Sequence, residues 1–312
     1  MTVPDYLQFF GFQDYPFRLT PDTRYFFPSS RHKAVLETIR YGLARGEGFL
    51  VLVGDPGIGK TMLLRILLKE LTEERYRTAL IMTPALEPKE LLQAILEDVQ
   101  LPFEASDSKE RLLRTFQRFL LQEAAQGWQF VLVVDEAQNL PAESLEEIRL
   151  LSNLETENKK LIQILLVGQS SLEEKLKMPE LRQLKQRISL WERLEPLSPD
   201  EVSWYTQYRM ARAGGASVPF DKGAEKLLCV ASGHVPRLIN KIMDRALLVA
   251  ASRLERHISA EILREALKTL GPTLEASVPS AGRRVSWLWR GLLAIAAGLG
   301  AVGVWWALGR RL

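Results

Sequence analysis

Leu50 to Leu64, LVLVGDPGIGKTMLL, is the stretch from which the fold is read. The apolar run Phe49 to Val53 has strand length and stops at Gly54, and Gly54 to Thr61 fits G-x-x-x-x-G-K-[ST] position for position. Gly54, Gly57 and Gly59 let the backbone turn tightly through Asp55, Pro56 and Ile58, so that successive N–H groups of the loop can face a common centre and cradle phosphate oxygens. Lys60 brings a cation to the β- and γ-phosphates, and the Thr61 hydroxyl is a ligand for Mg²⁺. A helix expected from about Thr61 to Glu74, with Met62 in its first turn, aims its positive dipole end at the same anion. Residues 55–62 are therefore the expected nucleotide cradle, with ATP and Mg²⁺ as the cofactors.

The rest of the chain supplies a frame for that loop. Its 312 residues allow two compact units and an appendage at about 150 residues per domain. The formal charge of +3 is unevenly placed. Arg283, Arg284, Arg290, Arg310 and Arg311 follow Glu275, and no acidic residue does, which leaves 36 basic against 38 acidic side chains before that point. A body at net −2 has no global footprint for nucleic acid. Cys229 is the single cysteine, set in the apolar run LLCVAS, which excludes an intrachain disulfide and predicts a buried thiol in a reducing compartment. His32, His234 and His257 are far apart, without metal-ligand spacing.

After the glycine-rich loop, strand and helix alternate. Thr78–Met82, Phe130–Val134 and Leu161–Val167 read as strands without polar alternation. Lys89–Val99 and Ser108–Ala125 read as amphipathic helices. Unalternating strands separated by helices require a parallel sheet covered on both faces, so the class is α/β, doubly wound. The run FVLVVDE then ends in Asp135 and Glu136, at the sheet edge where the phosphate loop opens. Asp135 is expected to hold Mg²⁺ with Thr61, and Glu136 to orient and polarise the attacking water. The next strand ends in Gln169, a candidate to sense the γ-phosphate. Arg182 and Arg187 precede a last strand, Ile188–Leu194; Arg187 is preferred as an arginine that reaches a neighbouring subunit's site.

At the N-terminus, residues 1–30 are rich in aromatics and proline but lack helical periodicity. They are expected to wrap onto the body, either walling an adenine pocket or simply packing. From Leu197 the pattern is helical only. Ser198-Pro199-Asp200-Glu201 is a capping box with proline at the first helical position, and further helices are expected near 221–232, 236–252 and 259–270. Arg237, at the start of the 236–252 helix, is placed to reach back over the phosphates.

Residues 271–286 read as a linker. Gly291–Gly309 carries no charge over 19 residues, flanked by Trp287, Trp289, Trp305 and Trp306. At 1.5 Å per residue it covers about 28 Å, a bilayer-length helix. The expected organisation is an arm (1–30), an α/β nucleotide domain (31–196), a helical lid (197–270), the linker, and a transmembrane helix (287–309).

These segments together resemble the ExeA/GspA-type AAA+ ATPases of type II secretion and the related pilus-biogenesis ATPases. The match runs through FFGF, YPFRLTPDTRYFF, GDPGIGKT, VVDEAQNL, IRLLSNLET, ILLVGQ, ELRQLKQRI and GHVPRLINKIMDRAL, in order over roughly residues 7–270. The resemblance implies ATP bound between subunits of a homo-oligomer or ring, Gln169 as sensor 1, Arg187 as finger and Arg237 as sensor 2. It further implies an ATPase anchored in the inner membrane, acting with an envelope partner on a secretin or pilus. The same branch resembles DNA-dependent regulators of transposition, which gives the alternative, a DNA-dependent switch ATPase; the charge of the body argues against nucleic acid.

Overall fold

The computed structural model describes residues 5–82, 85–156, 159–215 and 218–271. Its centre is a five-stranded sheet, formed by β1 (Phe49–Val53), β2 (Tyr76–Ile81), β3 (Gln129–Val134), β4 (Ile162–Gly168) and β5 (Leu190–Arg193). The order is β2-β3-β4-β1-β5 and every pairing is parallel, with Val51 beside Leu166 on one side and Trp191 on the other. All residues of β1 and β4 are buried, as strands flanked and covered on every side must be. The edge strands β2 and β5 are only partly buried.

Alternate residues of each strand serve two apolar layers. Phe49, Val51, Phe130, Leu132, Ile164 and Leu166 pack in the layer formed with α4 (Pro88–Asp98), α5 (Lys109–Ala125), α6 (Ala142–Leu151) and α8 (Arg182–Arg187). Leu50 turns to the opposite face, where α2 (Ser30–Ala44) comes close enough at Gly42 that an added Cβ would lie 3.0 Å from Leu50 and from Leu190. One polar side chain interrupts β4. Gln163 is buried, and its amide donates to the carbonyls of Leu43 and Glu47, both 3.0 Å away, at the C-terminal end of α2 and just beyond it.

Among the described residues, four helices follow the sheet: α9 (Pro199–Arg212), α10 (Lys222–Ser232), α11 (Pro236–Ser252) and α12 (Ala260–Leu270). The Ser198/Glu201 capping box forms as the sequence predicts. The Glu201 carboxylate does more, accepting from the backbone amide and hydroxyl of Ser30 at 2.8 and 3.0 Å, which joins the start of α9 to the start of α2.

The N-terminal arm does wrap onto the body, but not without helix: Tyr6–Phe10 forms α1, capped by Asp5 and closed by Gly11. Five residues are too few to display a period of 3.6, which is why the sequence hides this turn. The Tyr6 hydroxyl donates to Asp244 of α11 at 2.5 Å. The short α7 (Ser170–Lys175) and α8 escape sequence reading for the same reason. Cys229 is a second correction: it is only half-buried, beside exposed Trp204 and Val230. Among the described residues no helix is long and apolar enough to cross a membrane; the expected linker beyond Gly271 and the span at 287–309 lie outside them.

Candidate functional site

Because all five strands are parallel, the loops after β1, β3 and β4 leave the sheet at one edge. The loop after β1 turns at Gly57 (φ +83°) and Gly59 (φ +110°), both in the region closed to ordinary side chains. The space is closed as well: a Cβ at residue 57 would lie 2.7 Å from Arg237 Cβ, and one at residue 59 would lie 2.7 Å from the His32 ring. Helix α3 (Lys60–Glu73) starts directly from Gly59 with no side-chain cap, which leaves its first amides for an anion.

Lys60 is buried, with Nζ 2.8 Å from the Gly54 carbonyl and 3.2 Å from that of Asp55. Burial pushes its pKa down, and the carboxylates of Glu136, Asp135 and Asp55 push back. Thr61 Oγ1 donates to Asp135 Oδ2 at 3.1 Å, and the other Asp135 oxygen accepts the Glu136 amide at 2.9 Å. Burial raises the Asp135 pKa, with the Thr61 and Glu136 hydrogen bonds opposing it. A hydroxyl and a carboxylate side by side are the hard oxygen donors with which Mg²⁺ is held beside phosphate oxygens and water. No cluster of three His, Cys, Asp or Glu suited to a closed metal cage occurs among the described residues. The donor set thus fits Mg²⁺ carried with a nucleotide.

Glu136 has φ +52°, left-handed for a residue that rarely adopts it. The turn sends its carboxylate to two amides: Oε2 accepts from Gln138 Nε2 at 2.6 Å and Gln169 Nε2 at 3.0 Å. Gln138 in turn accepts from the Gln169 backbone at 3.0 Å. β4, which carries Gln169, lies between β3 and β1, so the acids stand two strands from the phosphate loop and the glutamine stands between them.

Lys60, Thr61, Glu136 and Gln169 open on a cleft of about 290 Å³. Gly57 to Met62, Glu136 and Gln169 line it together with Tyr25, Phe26 and Phe27 of the arm and Tyr205, Arg209 and Asn240 of the helical part. Pro56 lines the same cleft, and Asp55 is turned aside to accept from the Ser170 hydroxyl at 3.0 Å. Arg237 reaches the wall through its backbone too, its amide donating to the Gly57 carbonyl at 3.1 Å. Arg187 and Arg182 do not line this cleft. Arg187 donates to the Ser152 hydroxyl at 2.9 Å, and Arg182 is exposed at the start of α8.

Sequence reading missed three parts of this arrangement. Gln138 was within view, two residues after Glu136, but only the left-handed turn brings its amide back. His32 and Arg209 come from distant helices and have no local signature. The Arg209 guanidinium is buried, donating to the carbonyl of Pro16 at 2.5 Å and the Tyr205 hydroxyl at 3.1 Å, over the Tyr25 ring.

A phosphate loop on a central parallel strand, an acid pair at the same sheet edge and helices closing over the loop define an AAA+ P-loop ATPase fold, and residues 43–176 match the family described as AAA domain. The chain is also 42% identical over 248 residues to general secretion pathway protein A of Aeromonas hydrophila, so the resemblance to ExeA/GspA-type ATPases holds. That match covers 80% of this chain and 45% of the relative, so the chain spans less than half of the relative's length. Among solved structures, the fold is similar to Cdc6p from Pyrobaculum aerophilum (TM-score 0.63, 20% identity, 84% of this chain and 70% of that one). It is also similar to the Thermotoga maritima RuvB Holliday junction branch migration motor (TM-score 0.52, 19% identity, 86% and 80%). At these identities the likeness is one of fold alone.

Proposed function

We propose that this chain is a membrane-anchored ATPase that binds and hydrolyses Mg-ATP in the cleft and uses the cycle to drive or license assembly of a cell-envelope machine, a type II secretin or a type IV-like pilus. The observation that carries the ATPase reading is the convergence of Lys60, Thr61, Glu136 and Gln169 on one cleft also lined by aromatic side chains, with Asp135 bonded to Thr61. The name of the Aeromonas relative supports the secretion setting.

In this reading the base lies between the aromatic arm and the helical part, and the loop amides of residues 55–62 hold the phosphates. Lys60 leaves its own loop carbonyls for phosphate oxygens. Thr61 and Asp135 would hold Mg²⁺, which when bound would supply charge neutralisation on those oxygens. Glu136 takes the proton of the attacking water, Gln169 orients that carboxylate, and Arg237 brings a further cation from the helical part. Arg187 acts on the site of a neighbouring copy in an ATP-dependent homo-oligomer, exchanging its Ser152 contact for the phosphate. Residues 31–196 and 197–270 serve as nucleotide domain and lid, the linker 271–286 leads to the span at 287–309, and the ATPase faces the cytoplasm from the inner membrane.

Purified protein should hydrolyse ATP only with Mg²⁺, and Lys60→Ala should abolish binding. No binding of adenine nucleotide by the parent chain under oligomerising conditions would end the ATPase reading. Fractionation of the full chain against one ending at Leu270 tests the anchor: only the full chain should sediment with membranes and co-purify an envelope protein. ATPase stimulation by duplex DNA with a steep salt dependence would instead favour the DNA-dependent alternative, for which the solved structures, similar in fold alone, give no support.

A further inference from the structure

His32 is buried under the phosphate loop and belongs to none of the roles above. Its Nε2 lies 3.1 Å from the Ile58 carbonyl, and its Nδ1 lies 2.6 Å from the Ser29 hydroxyl. A carbonyl only accepts, so Nε2 carries the proton, and in a neutral ring Nδ1 accepts from Ser29. The Ser29 oxygen also caps α2 by accepting the His32 amide at 3.2 Å. The ring further fills the space beside Gly59, at the residue whose φ of +110° turns the loop into α3. Phe26, which lines the same cleft, meets the ring edge-on at 5.9 Å between centroids.

The imidazole therefore spans two parts of one site. On one side it grips a carbonyl in the loop that cradles phosphate, and on the other it is fixed by the segment that carries the base-side aromatics. A carbonyl of that loop turned toward the phosphates would repel them; held by His32, the Ile58 carbonyl points away and the neighbouring peptide amides stay turned inward.

We propose that His32 is a positioning residue for nucleotide binding, which holds the Ile58 carbonyl out of the phosphate cradle. The role rests on the ATP reading above. It concerns the phosphates rather than the base, which makes it separable from general support of the fold.

The test uses the full chain and three variants, with competition against a fluorescent ATP analogue to measure ATP, ADP and adenosine binding. His32→Asn keeps an amide near Ser29 but falls short of Ile58, His32→Phe fills the volume without a donor, and His32→Gln extends a donor to the position of Nε2. ATP and ADP should bind about tenfold more weakly to the Asn and Phe variants, as expected for a lost buried hydrogen bond. Adenosine should bind all forms alike, and the Gln variant should recover most of the phosphate-dependent affinity. Unchanged ADP binding by either the Asn or the Phe variant overturns the proposal, as does equal weakening of ADP and adenosine or a Gln variant no better than Phe. A parent chain that binds no adenine nucleotide overturns the ATP reading itself, whereas tight binding by the parent and the variants alike overturns only the role of His32.

Discussion

Gln169 Nε2 stands 3.0 Å from Glu136 Oε2, joining the ends of two adjacent strands through one side-chain bond. The same oxygen also takes the amide of Gln138, so two donors converge on one carboxylate oxygen. A carboxylate oriented this way keeps its other oxygen available to a water molecule. The second amide makes that orientation independent of Glu136's own rotamer freedom.

Glu136→Gln should bind ATP as the parent does and lose about 10²-fold or more in kcat, the size of a general-base contribution. Size-exclusion chromatography with ATP should show it held in an oligomer. Gln169→Ala should cost about tenfold in kcat with little change in KM, since it removes the orientation and leaves the base. If the Glu136→Gln variant turns over normally, the base has been misassigned.

Glu201 ties the helical part to the nucleotide-binding part. Burial raises its pKa, but the four hydrogen bonds from Ser198 and Ser30 outweigh it and hold the carboxyl below the ordinary value. A depressed folded-state pKa gives stability that is present above the unfolded value and lost as pH falls through the folded one. Glu201→Gln should therefore destabilise the neutral-pH protein by about 1–3 kcal/mol, because an amide donor then faces the Ser198 or Ser30 donors. Thermal melts at neutral pH should show the loss, and it should shrink at strongly acid pH. A melting temperature equal to the parent's would show that the tie carries no energy.

How much of this was legible beforehand depends on distance along the chain. The phosphate loop, the acid pair and Gln169 announce themselves because each follows an apolar strand, and a parallel sheet brings strand ends to one edge. The capping box at Ser198 is local and was equally plain. Glu201's second pair of bonds, to Ser30, joins residues 171 apart, and Arg209 reaches carbonyls more than 190 residues away. Contacts of that kind depend on tertiary placement, and the amino acids concerned look like ordinary surface charges in sequence. The short helices α1, α7 and α8 were hidden because five or six residues cannot display a period.

Arg209 should be the anchor of the arm. It is buried against the Pro16 carbonyl and the Tyr25 ring, and it meets the Arg18 carbonyl at 3.4 Å. Arg209→Met keeps much of the stem's packing but gives up every one of these bonds. Limited trypsin digestion should then cut the variant at Arg18 and Arg24, whose side chains are already exposed, faster than the parent. Resistance equal to the parent's would mean that Tyr6, with its bond to Asp244, and Phe12, packed on Gly215, hold the arm without help.

Stability should also depend on pH through His32. Burial pushes its imidazole below the ordinary value, with the Ile58 hydrogen bond and the Glu201 charge opposing. The unfolded chain therefore takes up its proton first as pH falls through about 6.5, while the folded chain resists until its lower value is reached. Folding thus loses free energy as pH declines from about 6.5, by about 1.4 kcal/mol for each unit separating the two values. His32→Gln has no proton to take up and lacks this component. The gap in melting temperature between parent and variant, measured without nucleotide, should be smaller at pH 5.5 than at pH 7.5, by about 2–4 °C for each kcal/mol in a body of this size. A gap that stays constant across that range would place the folded and unfolded imidazole at the same pKa, and the ring would then be open to water.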